Sequence, residues 1–178
     1  MTTSPARRYR TFAHYNRWAN RRLYQAAAAL GEADYHAERG AFFGSVHRTL
    51  NHLLVTDRIW MARFAGDATG VAPRLDAVLF EALSDLARAR DAEDVRIIDF
   101  AEALDGARLA APIRYANSSG QSFQQPLDSA LDHFFNHQTH HRGQVHALLT
   151  GLRGRDGAPS LDLIVFQRET GARGTSNG

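Results

Sequence analysis

Four long stretches of this chain place apolar residues at intervals of three and four, which commits most of it to amphipathic helices rather than strands. The first opens at Ser4-Pro5, where serine can cap a helix and proline suits its first turn. Phe12, Asn16, Ala19, Leu23, Ala26 and Leu30 then share one face, and Gly31 marks the stop. After a loop containing Gly40 and Gly44, Ser45 opens a second helix with Val46, Leu50, Leu53, Asp57, Trp60 and Phe64 as its core stripe. A loop from Gly66 to Pro73 follows. Leu79, Leu83, Leu86, Ala89, Ala92 and Val95 begin a third helix that extends to Leu104. The fourth starts near Pro126, turns Leu127, Ala130, Phe134, His141, Val145 and Leu148 inward, and ends at Gly151 and Gly154.

One segment breaks the helical pattern. Ile113, Tyr115 and Phe123 flank Asn117-Ser118-Ser119-Gly120, the signature of a short β-hairpin with a turn between its strands. Asp162 to Glu169 reads as a short terminal helix. The expected fold is all-α: a four-helix bundle with a short hairpin before the last long helix and a short C-terminal helix. Its 178 residues, 44% of them hydrophobic, suit a single domain over 1–170 with a disordered tail over 171–178. The long loops between helices one and two, and two and three, leave room for a non-sequential topology.

Composition removes whole classes of chemistry. Cysteine is absent, which excludes disulfides, thiolate metal ligands and cysteine nucleophiles. All 21 basic residues are arginine, which excludes a Schiff-base lysine and a phosphate loop built on lysine. No apolar run approaches the roughly 20 residues that span a bilayer, and the basic N-terminus lacks the apolar core of a signal peptide. A cytoplasmic protein with no membrane partner is expected. Arg7, Arg8, Arg10, Arg17, Arg21 and Arg22 crowd the first helix, but the net charge is only +2 and no zinc finger or other nucleic-acid motif accompanies them. They read as a solvated face, so direct nucleic-acid binding is not expected.

The chemistry concentrates in Asn136 to Gln144, NHQTHHRGQ. His137 and His141 stand four residues apart in a helical segment, so both rings point the same way, one turn apart. Two imidazoles can share a metal ion but seldom complete its shell. His52, at the edge of the second helix's apolar stripe, is the best remote third ligand. His133 and His140 fall toward the edge of the wheel. His14, His36, His47 and His146 have no partner at metal spacing and read as surface or structural. Two readings stay open: satisfied boundary histidines, or a three-histidine site with a coordination position left for water or a thiolate. With no cysteine here, any thiolate would arrive with a substrate. The candidates for a catalytic or positioning role near the site are Asn16, Asp57, Arg142 and Gln144, each with a structural reading beside it. Asp57 reads as paired with Arg142 or Arg58, Asn16 as making an interhelical hydrogen bond, and Gln144 as able to orient a ligand.

Tyr15-Asn16-Arg17-Trp18-Ala19-Asn20, then Thr49-Leu50-Asn51-His52-Leu53-Leu54 with Asp57-Arg58-Ile59-Trp60, then Asn136 to Gln144, resemble the DinB/YfiT-like family in order and separation, from about Phe12 to Glu169. The resemblance implies a four-helix bundle and one divalent transition metal per chain, zinc or nickel foremost, with manganese or iron as alternatives. It puts the ligands on His52, His137 and His141, and implies a homodimer. It also implies a metal-dependent enzyme of the thiol-transferase type that activates a low-molecular-weight thiol as co-substrate against a small-molecule electrophile. The alternatives are a non-catalytic metal-binding stress-response protein and a metal-dependent hydrolase; the second lacks the glutamate of a helical HExxH motif.

Overall fold

The computed structural model describes residues 5–67, 73–117 and 119–171. Helix α1 spans Pro5–Ala28, α2 Glu32–His36, α3 Val46–Ala65, α4 Leu83–Glu102, α5 Gly106–Ala110, α6 Leu127–Arg153 and α7 Leu163–Thr170. Strands β1 (Pro112–Ala116) and β2 (Ser122–Pro126) pair antiparallel between α5 and α6, with Tyr115 opposite Phe123. The fold is all-α with one small hairpin, as the periodicity predicts. Ser4, part of the Gly66-to-Pro73 loop, Ser118 and the tail from 172 lie outside the described residues.

Local signals set the ends. The Ser45 hydroxyl accepts from the Arg48 amide and caps α3, a bond whose loss costs about 1 kcal/mol. Gly66 closes the same helix at φ +75°, a left-handed conformation that glycine adopts without a Cβ clash. In the hairpin turn the Asn117 side-chain oxygen accepts from the amides of Ser119 and Gln121, and so folds the turn back on itself.

Each of the four long helices packs on two others: α1 on α4 and α6, and α3 on α4 and α6. Two apolar clusters fill the bundle's ends. One gathers Tyr9, Trp60, Phe64, Ile97, Leu131 and Phe134, and the other Leu23, Leu50, Leu54, Leu86, Val145 and Leu149. Along α1 and α6 the first cluster comes before the second; along α3 and α4 the order is reversed. Helices α1 and α6 therefore run parallel, and α3 and α4 run antiparallel to them. Consecutive parallel neighbours need a crossover as long as the bundle, and the segment between α3 and α4, described over 73–82, belongs to it. The non-sequential topology for which the loops left room is the one adopted.

Several local expectations are corrected. The first loop contains the short helix α2, and α5 follows α4. Helix α4 starts at Leu83 rather than Leu79. Its inward face is also misread by hydropathy: Val95 is 40% exposed, while Arg90, Glu93 and Asp94 are buried. The reason is a polar layer between the two apolar clusters, made of Asn16 and Asn20 on α1, Asp57 on α3, Arg90 and Asp94 on α4, and Gln138 and Arg142 on α6. Asp57 accepts from Arg90 and Gln138; Asp94 accepts from Asn16 and Asn20 and pairs with Arg90 at 3.1 Å. Arg142 donates to Asn16 and Gln138. Asp57 is thus paired with Arg90, not with Arg142 or Arg58. Burial favours its neutral form and pushes it up to about 7, against the pull of Arg90. Burial also works against the Arg90 charge, but Asp94 and Asp57 outweigh it and hold that charge firmly.

The Tyr15-to-Asn20 motif now has a structural account. Tyr15 and Trp18 pack on Phe166 of α7, and the Tyr15 hydroxyl donates to the Leu161 carbonyl at 2.6 Å. Arg17 meets Asp91, and the two asparagines hold Asp94. Four more of the arginines of α1 are engaged with carboxylates: Arg8 with Asp132, Arg10 with Glu102, Arg21 with Asp91 and Arg22 with Glu169. Such exposed pairs add little stability.

Candidate metal centre

His137 and His141 leave α6 on the side facing α3, where His52 meets them. The His52 and His137 Nε2 atoms stand 3.4 Å apart. Ring centroids are 4.5 Å apart for His52 and His141 and 4.3 Å for His137 and His141. One ligand nitrogen from each ring lies within 4.8 Å of the others. In a tetrahedral ion with metal–nitrogen bonds near 2.0–2.1 Å, neighbouring ligand nitrogens are about 3.3–3.4 Å apart. The His52–His137 pair already has that edge length.

The outer nitrogens of His52 and His141 are committed, as is usual for metal-binding histidines. The His52 Nδ1–H donates to the Leu75 carbonyl at 2.7 Å, which leaves the Nε2 lone pair free. The His141 Nδ1–H donates to the Gln144 side-chain oxygen at 2.8 Å, and the Gln144 amide donates to His140 Nε2 at 3.3 Å. Gln144 therefore orients a ring, the role its place one turn beyond His141 allows. Burial holds all three rings neutral: His52 is lowered to about 4, His137 to about 3, and His141 is lowered as well. The neighbouring rings add to the effect on His137, because two imidazolium ions so close repel. At neutral pH the cluster is three lone-pair donors with no charge of their own, a donor set that suits a divalent transition ion.

Phe43, from the loop before α3, covers this site. It stacks on His52 with centroids 3.8 Å apart and tilts against His141 at 5.5 Å. The crossover closes another side. Asn51 is fully buried; its side-chain oxygen accepts from the Leu79 and Phe80 amides, and its amide donates to the Phe80 carbonyl. That clamp holds residues 75–80 along α3, with the Leu75 carbonyl at His52. Sequence reasoning missed Phe43, Leu75 and Asn51. Only Asn51 carried a signal, an amide directly beside His52 in an apolar stretch.

The other polar candidates lie elsewhere. Asn16, Asp57 and Arg142 belong to the buried layer, with their hydrogen bonds directed to one another's helices rather than to the three rings. His133 is exposed and packs on Trp60. A groove of about 980 Å³ runs along a different side of α6, bounded by Phe12, Tyr15, Phe135, Arg142 and Leu161, and none of the three histidines lines it. Donor atoms converge at the three histidines, whereas the groove's walls are mainly apolar.

Comparison with known proteins shows the family. Protein DinB of Bacillus subtilis (strain 168) is 26% identical over 165 residues, covering 88% of this chain and 92% of the relative. The family model described as "DinB family" matches residues 1–159, which take in α1, α3, α4 and α6 with all three histidines. The chain belongs to the DinB family.

Proposed function

We propose that the protein binds one divalent transition metal through His52, His137 and His141 and uses it in thiol transfer. The observation that carries the reading is the 3.4 Å approach of the His52 and His137 ring nitrogens, with the outer nitrogens of His52 and His141 already hydrogen-bonded. When bound, the ion supplies a Lewis acid that lowers the pKa of a coordinated thiol toward neutrality. The residues do the rest. Leu75 and Gln144 fix the tautomers, Phe43 screens His52 from water, and burial keeps the rings unprotonated. The reaction is attack of a thiolate sulfur on an electrophilic carbon with departure of the leaving group. Zinc or nickel suits three imidazoles best, with manganese or iron next. The protein is taken to act as a cytoplasmic homodimer on a small-molecule substrate.

A second reading, a non-catalytic metal protein of the stress response, is favoured by the position of the large groove away from the histidines. The hydrolase reading lacks a base, since the convergent group holds no carboxylate. The test is elemental analysis of tag-free protein beside His52→Ala, His137→Ala and His141→Ala, followed by turnover of a thiol and electrophile panel. One ion lost in each variant, together with thiol consumption that needs that ion, supports the enzyme. An ion without turnover supports the second reading. A folded wild type that takes up no zinc, nickel or manganese at these rings refutes both.

A further inference from the structure

A second group of metal-ligating side chains converges away from the three histidines. His36 at the end of α2, His47 in the first turn of α3 and Glu81 at the end of the crossover each offer one ligand atom within 4.8 Å of the others. The two rings lie 4.3 Å apart, and the His47 Nε2 is 3.6 Å from the Glu81 carboxylate. Sequence spacing hid the group, because its members come from three separate segments.

The arrangement is built rather than incidental. His47 is buried, and Tyr35 packs edge-on against both rings, at 4.9 and 5.2 Å. The His47 Nε2–H donates to the Phe80 carbonyl at 3.1 Å, so its Nδ1 keeps a lone pair. A backbone carbonyl on one ring nitrogen is the usual partner of a histidine that ligates through the other. Asn51 holds Phe80 in place, and Glu81 follows directly in the chain. Burial lowers the His47 pKa, which keeps the ring neutral near pH 7. His36 and Glu81 are exposed; Glu81, which stands 3.6 Å from the committed Nε2, turns toward the free Nδ1 to close the shell.

We propose that His36, His47 and Glu81 form a second divalent transition-metal site, distinct from the three-histidine centre. Two imidazoles and one carboxylate suit zinc, nickel or ferrous iron and leave one or more positions open to solvent. The ion would tie α2, α3 and the crossover together. Its exposed ligands make it the weaker and more readily exchanged of the two sites.

The test is zinc uptake by tag-free, metal-stripped protein at equilibrium, read by elemental analysis and calorimetric titration. The comparison is with His36→Ala/Glu81→Gln, a variant at two exposed positions. The expected result is two equivalents per chain for the wild type and one for the variant. A His52→Ala/His141→Ala variant retains one equivalent, which separates this proposal from the fate of the three-histidine site. A second equivalent that survives in His36→Ala/Glu81→Gln overturns the proposal. So does a wild type that binds one equivalent, lost with His52 and His141.

Discussion

Replacing Asp57 by leucine tests the buried polar layer most directly. Asp57 is 1% exposed and joins α3 to α4 through Arg90 and to α6 through Gln138. Asp57→Leu leaves the Arg90 guanidinium, itself 3% exposed, with Asp94 as its carboxylate, and strands the Gln138 amide. Removing one partner of a buried ion pair costs about 3–5 kcal/mol, a large part of the roughly 5–15 kcal/mol that holds a domain folded. With a urea slope near the upper end of about 1–3 kcal/mol per molar, the unfolding midpoint should fall by about 1–2 M. The second variant, Arg90→Met on the Asp57→Leu background, should cost at least about 1 kcal/mol less than Arg90→Met does in the wild type, because the Asp57–Arg90 contact is already gone. Asp94 then keeps its two asparagine donors. Circular dichroism through a urea series reads both effects. A midpoint shift under about 0.3 M for Asp57→Leu, or a double variant weaker than the single by the full Arg90→Met cost, would refute the account of the layer.

Asn51→Ala should cost about 1–3 kcal/mol by stranding the Leu79 and Phe80 amides. It should also weaken zinc binding about 10- to 100-fold by loosening the carbonyl on His52, read by competition with a chelator; unchanged affinity would free His52 from the crossover. In metal-stripped protein His52 is neutral when folded, with its pKa lowered to about 4, while the unfolded ring titrates near 6.5. The unfolded chain therefore binds more protons between those values, and stability falls as pH drops from 6.5 to about 4. His52→Leu should flatten that fall by up to about 1.4 kcal/mol per pH unit, and parallel wild-type and variant curves would contradict the burial of the ring. Ser45→Ala should lower the melting temperature by about 2–4 °C through loss of the α3 cap, and no change by calorimetry would remove the cap from the account.

What the sequence by itself determined is what interactions within one helical turn determine. The Ser45 cap, the left-handed stop at Gly66, the hairpin turn at Asn117 and the shared direction of His137 and His141 all depend on neighbours a few residues away, where helix and turn geometry leave little choice. Hydropathy also found the inward sides of α1, α3 and α6, because their apolar stripes are nearly unbroken. It failed on α4, whose buried face carries Arg90, Glu93 and Asp94, since a charge can be buried only when partners from other helices meet it. Tertiary structure alone decided that Asp57 takes Arg90, that the parallel α3 and α4 need a crossover, and that this crossover brings the Leu75 carbonyl to His52 and Glu81 to His47. Those contacts join residues far apart in the chain, and their existence follows from how whole helices pack rather than from any local preference.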